Sequence, residues 1–182
     1  DSEIFRVMRV ARDAGILTML HAENGDLIDL LVTEAIANGD VGPEWHARTR
    51  PAWGSVESVL RGSALAAVAE APLYIVHMNA SGEVDQLEYA RSKGLKIMGE
   101  TCPQYLLFTD ERLSGADGSK GVCSPTLRKK EDNQRLWQGL EKKIIQTIAT
   151  DHCPFFYNGQ MPIDYEGKSV AIPGKELGNG DF

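Results

Sequence analysis

Apolar residues along this chain switch repeatedly between a helical and an extended period. Ile4, Phe5, Met8 and Ala11 recur at helical spacing, which predicts an amphipathic helix over 3–14 that Gly15 ends. The next run, ILTMLHA (16–22), is short and almost unbroken, as a buried strand requires. Helical period returns in DLIDLLVTEAIA (26–37), with Asp26 placed as N-cap or first-turn acid. GDVGP and RPAWG mark 39–54 as a loop, and the alanine-rich stretch 55–71, begun by Ser55, reads as the next helix. LYIVHM (73–78) carries the β-branched and aromatic residues of a buried strand. Ser81 is placed to cap a helix over 82–93, and Gly94 suits the position after its end. LKIMGET (95–101) predicts a third strand and polar 109–121 a surface loop. Residues 129–142 form a charged helix with Leu136 and Leu140 at i, i+4, and IIQTIAT (144–150) is the fourth strand. From Phe155 onward glycine, proline and charge dominate, which predicts an extended loop lid or a tail.

Strands that alternate with helices form parallel βα units rather than hairpins. The expected fold class is therefore α/β, a parallel (β/α) barrel of the TIM type. A closed barrel takes eight strands, so this chain supplies about half of one. The expected division is a partial barrel over 1–154 and a loop or tail over 155–182. The ends, DSEIFRV and GNGDF, read as those of a piece of a longer protein.

Charged chemistry clusters at the strand ends. His21 follows the first strand, His77 ends the second, and Asp151 follows the fourth. In a parallel barrel such positions converge on the face where active sites form. Imidazole and carboxylate suit zinc or a similar divalent ion. On its own a strand-end histidine is equally well a core or capping residue, and the lesser alternative for Asp151 is an N-cap at a strand-to-loop turn. Desolvating that carboxylate is costly unless it is paired or ligates a metal. Glu23 and Asn24 follow His21 closely enough to orient its ring. His152 should point away from Asp151 in extended backbone. His46 sits in the loop between Trp45 and Arg48 and reads as a surface residue.

Composition changes little in this picture. The 182 residues are 42% hydrophobic and 25% charged, ordinary for a globular domain with a real core. The net charge of −7 argues against nucleic acid or an anionic membrane as partner. No apolar stretch approaches the ~20 residues of a membrane span. Cys102, Cys123 and Cys153 form no CxxC pair, which suits a reducing cytoplasm and small buried residues rather than thiolates.

The segments HAENGDLI (21–28), VHMN (76–79), GETCPQYL (99–106), VCSPTLR (122–128) and ATDHCPF (149–155) resemble the dihydropyrimidinase/hydantoinase branch of the cyclic amidohydrolases, in that family's order. The resemblance implies that the chain covers strands five to eight of a barrel. It implies that His21 and His77 bind the more buried of two zinc ions, with manganese or cobalt as alternatives. Asp151 would ligate the second ion and take the proton from a bridging water, so that metal-bound hydroxide opens the ring. Ser124 would hold the cyclic amide through its main chain, although a serine before proline in an extended turn is an ordinary structural feature; Thr126 replaces the family's usual second proline. A small cyclic amide or ureide is the implied substrate, and a homo-oligomer is expected. The family also uses a His-x-His pair and a carbamylated lysine, but this chain has no His-x-His and no lysine before His21. The tyrosine and asparagine that complete the substrate clamp would lie outside it too. Alternatives are a non-catalytic dihydropyrimidinase-like protein, or a related dihydroorotase or allantoinase.

Overall fold

A computed structural model of the chain describes residues 1–152, so the predicted lid or tail over 155–182 and Cys153 lie outside the described residues. Four strands, β1 (Thr18–Leu20), β2 (Leu73–Met78), β3 (Ile97–Thr101) and β4 (Thr147–Ile148), form one parallel sheet in the order of the sequence. Among the described residues seven α-helices accompany them: α1 (Ser2–Asp13), α2 (Gly25–Ala37), α3 (Trp45–Arg48), α4 (Ala52–Ala69), α5 (Ser81–Ser92), α6 (Pro103–Leu107) and α7 (Lys130–Glu141). A doubly wound sheet reverses its winding at a switch point. This sheet does not reverse; its strands follow one another as they do in a (β/α) barrel.

Register sorts the two faces of the sheet. Leu20, Ile75 and Gly99 stand in one row, and Met19, Tyr74 and Met98 in the next. The first row belongs to the face covered by helices, where Leu73 and Ile75 are fully buried. Helix α1 packs on α4, α4 on α5 and α5 on α7 along that face. Their apolar sides meet the strands in one core around Val59, Leu73, Val84, Leu87, Leu136 and Ile145. The second row faces away from this core and leaves Met19 61% exposed. Val32 and Ala35 of α2 form a small satellite cluster with Trp45 of α3. Among the described residues no helix is long and apolar enough to cross a membrane.

Several boundaries differ from the expected ones for local reasons. The strand predicted over 16–22 shrinks because the Ile16 N–H bonds to the Ala11 carbonyl and closes α1 instead. Likewise the N–H groups of Ile144 and Ile145 both bond to Gly139, so these apolar residues finish α7 and leave β4 two residues long. Helix α4 starts at Ala52, after an extended Pro51, rather than at Ser55. Ser81 does not cap α5. The Glu83 carboxylate does so, accepting the N–H groups of Asn79 and Ala80 at 2.7 Å each. Gly94 does take the left-handed conformation expected after α5, with φ 82°.

Candidate metal and substrate site

The C-terminal ends of β1 and β2 bring two imidazoles together. His21 follows β1 directly, and His77 lies where the pairing of β2 with β3 slips between Ile75 and Met78. Such irregularities re-aim a side chain. His77 also has left-handed backbone, φ 39°, which costs a residue with a Cβ about 1–2 kcal/mol. Nδ1 of His21 lies 2.9 Å from Nε2 of His77, with the rings 73° apart. Two nitrogens this close share a proton or face one cation; a zinc ion held by both at about 2.0–2.1 Å would subtend an angle of about 90°, so tetrahedral ligation would need the rings to part slightly.

The protonation pattern fits the same reading. Glu23 Oε2 accepts from Nε2 of His21 at 3.1 Å, which leaves the lone pair of Nδ1 directed at His77. Burial alone would raise the Glu23 carboxyl. The hydrogen bond and charge of His21, with the charges of Arg128 and Arg50, outweigh it and hold the carboxyl below its ordinary value. Burial and the charge of His21 push His77 down, against an upward pull from Asp151. His77 is thus neutral near pH 7, the form that binds a metal.

Asp151 has left-handed backbone too, with φ 45°. It lines a cavity of about 260 Å³ with Gln104, Phe108, Cys123, Leu127 and His152. The positive φ breaks the extended path, so His152 shares this cavity instead of pointing to the opposite side. The charge of Asp151 reaches His77. Among the described residues, however, no three His, Cys, Asp or Glu side chains stand close enough together to hold a metal. The structure therefore pairs His21 with His77, and Asp151 lies within electrostatic reach of His77 without joining a three-ligand set.

Ser124 lies in a segment without regular structure whose neighbouring carbonyls are all held. His46 Nε2 donates to the Cys123 carbonyl at 2.9 Å, the Tyr105 hydroxyl to that of Pro125 at 2.7 Å, and Asn79 Nδ2 to that of Thr126 at 2.5 Å. Arg128, at its end, donates to Ser55 Oγ and to the Arg50 carbonyl. Neither main-chain group of Ser124 has a hydrogen-bond partner among the described residues. An amide ring presents one N–H and one C=O side by side, so a pinned segment with free main-chain groups is a suitable clamp.

His46 departs from expectation. It is 1% exposed rather than on the surface, and burial with the Arg50 charge lowers its pKa to about 4. No local pattern signalled this burial, since its partner Cys123 is distant in the chain. Arg128, Tyr105 and Asn79 escaped the sequence reading because their partners are far along the chain; Arg50, which donates to nearby His46 and Thr49, escaped it because nothing local marks it as buried. Burial raises the thiols of Cys102 to about 12 and Cys123 to about 11, so neither is a thiolate at neutral pH.

The fold and the paired strand-end imidazoles define a parallel α/β chain with a candidate site at the C-terminal ends of its strands. The chain is 45% identical to a D-hydantoinase of Streptomyces coelicolor and 39% identical to one of Geobacillus stearothermophilus. Each match takes in all of this chain and 36% of the relative. The crystal structure of a dihydropyrimidinase from Brevibacillus agri superposes with a TM-score of 0.87 at 42% identity, over 88% of this chain and 35% of that one. No protein-family model matches the chain. The chain belongs to the D-hydantoinase and dihydropyrimidinase family, and it spans little more than a third of the length of these relatives.

Proposed function

We propose that this chain supplies strands five to eight of a metal-dependent barrel that hydrolyses a cyclic amide, a dihydropyrimidine or hydantoin, to the N-carbamoyl amino acid. The convergence of His21 Nδ1 and His77 Nε2 at 2.9 Å carries the reading. His21 and His77 hold one divalent ion, zinc in the first place, with manganese or cobalt as substitutes; Asp151 ligates a second. The chemistry expected of such ions is activation of water at neutral pH and polarisation of a ring carbonyl. Asp151 accepts the proton of the attacking water and returns it to the ring nitrogen as the C–N bond breaks. The main chain at Ser124 holds the amide edge of the ring, so the scissile carbonyl stays fixed during attack.

Two features support a homo-oligomer: β1 and β4 each pair on one side only among the described residues, and Met19 is exposed on the uncovered face. Three cysteines without a CxxC pair support a reducing, cytoplasmic location. Ring opening of dihydrouracil and of 5-substituted hydantoins, followed by loss of ultraviolet absorbance, tests the reading. Turnover that needs divalent metal and disappears in His77→Ala is the expected result. Metal-independent stability with no turnover on any ring would favour the non-catalytic dihydropyrimidinase-like alternative.

A further inference from the structure

Glu23 makes one hydrogen bond among the described residues, and it goes to His21. Oε2 meets His21 Nε2 at 3.1 Å, while Oε1 is buried without a partner. Its side chain is 6% exposed, whereas the His21 side chain is 50% exposed. Other carboxylates in this part of the fold have other partners: Glu83 holds two backbone N–H groups, and Glu100 accepts the Tyr74 hydroxyl and the N–H of His77. A buried carboxylate is costly unless it is paired, and here the nearby charges of Arg50 and Arg128 lighten that cost without taking over its hydrogen bond. Packing alone does not hold a half-exposed imidazole ring.

We infer that Glu23 is a positioning residue that locks His21 in the Nε2–H tautomer, so that Nδ1 is the nitrogen offered beside His77 Nε2. The opposite tautomer would point a proton from Nδ1 at His77 and block that space. This rests on the metal-holding role proposed for the two histidines, although the tautomer is a property of the metal-free protein as well. A carboxylate behind a ligating histidine fixes ring and tautomer together, and its loss weakens metal binding about 10–100-fold.

Long-range ¹H–¹⁵N correlation of the histidine rings in the metal-free protein, at mildly alkaline pH, tests the inference. His21→Asn assigns the signal. The expected result is a single Nε2–H form at His21 that becomes a mixture of tautomers in Glu23→Ala. Glu23→Leu fills the same space without an acceptor and gives the same answer if the Ala variant fails to fold. Glu23→Gln, which keeps an acceptor oxygen, should restore the Nε2–H form. Zn²⁺ affinity, read by competition with a chromophoric chelator, should fall about 10–100-fold in Glu23→Ala and Glu23→Leu and recover in Glu23→Gln. An unchanged His21 tautomer in the Ala and Leu variants overturns the inference. If the wild-type protein binds no Zn²⁺ but the tautomer still shifts, the metal reading falls and the positioning role stands.

Discussion

Among the described residues four other than glycine have left-handed backbone: Glu70, His77, Lys143 and Asp151. Glu70 and Lys143 end helices, where that conformation is routine. His77 and Asp151 end strands and bear the proposed chemistry, which is where backbone strain tends to be retained. Asparagine tolerates this conformation better than most residues, so Asp151→Asn should fold without loss of melting temperature. It cannot accept a proton, so ring opening should fall about 10²–10⁴-fold. Calorimetry and steady-state kinetics on the same preparation check both halves. A variant that melts early, or one that keeps full turnover, removes Asp151 from the mechanism. The convergence of His21 with His77 was legible in the sequence because each stands at the end of an apolar run, a purely local signal. The Glu23 hydrogen bond was half legible, since the residue stands two places from His21. The burial of His46 was not, because its partner Cys123 is 77 positions away.

At the scale of elements, alternation of period gave the order of strands and helices, while the ends went to whichever backbone partner competed best. Ile144 and Ile145 have strand-like side chains, yet Gly139 at the end of α7 takes their N–H groups. Contacts between elements depend on glycines, Gly99 and Gly62 among them, that composition does not explain. A Cβ on Gly99 of β3 would lie 2.5 Å from Leu87 Cδ2 and 2.6 Å from Met78 Sδ, both on fully buried side chains. A Cβ on Gly62 of α4 would meet Leu20 Cδ2 at 2.5 Å, the tip of a side chain only partly buried. Leu20 can give way, and alanine gains about 1 kcal/mol of helix propensity over glycine. Gly99→Ala should therefore cost about 1–3 kcal/mol by overpacking, whereas Gly62→Ala should be close to neutral. Urea unfolding of the two variants decides the matter, and equal losses would mean that β2, β3 and α5 relax as easily as Leu20 does.

For the molecule as a whole, two buried groups set opposite responses to pH. His46 is neutral in the fold, with its pKa lowered from 6.5 to about 4, so it costs stability as pH falls through that window. Glu83 is raised by burial from 4.5 to about 7, so the native state binds the extra proton and loses stability as pH rises through its window. Each shift corresponds to about 3 kcal/mol at most, and over the shared range the two oppose. Glu83→Gln, which still offers an oxygen to Asn79 and Ala80, should make stability rise more steeply with pH than in the wild type; His46→Asn should do the reverse. Parallel stability curves for all three proteins would show that neither group is coupled to folding. The last question at this scale is how much of a metal centre the chain holds unaided. Its curated relatives are nearly three times as long, and the described residues offer two converging imidazoles with one carboxylate in electrostatic reach. Zinc prefers about four ligands, and each missing one lowers affinity. Elemental mass spectrometry after equilibration with micromolar zinc should therefore find at most one ion per chain, and almost none in His77→Ala. Two ions per chain would require ligands from residues 153–182 or from a second copy. A mixed sample of wild type and His77→Ala would then separate the sources, because only ligands shared between copies make the zinc content depart from the average of the two proteins.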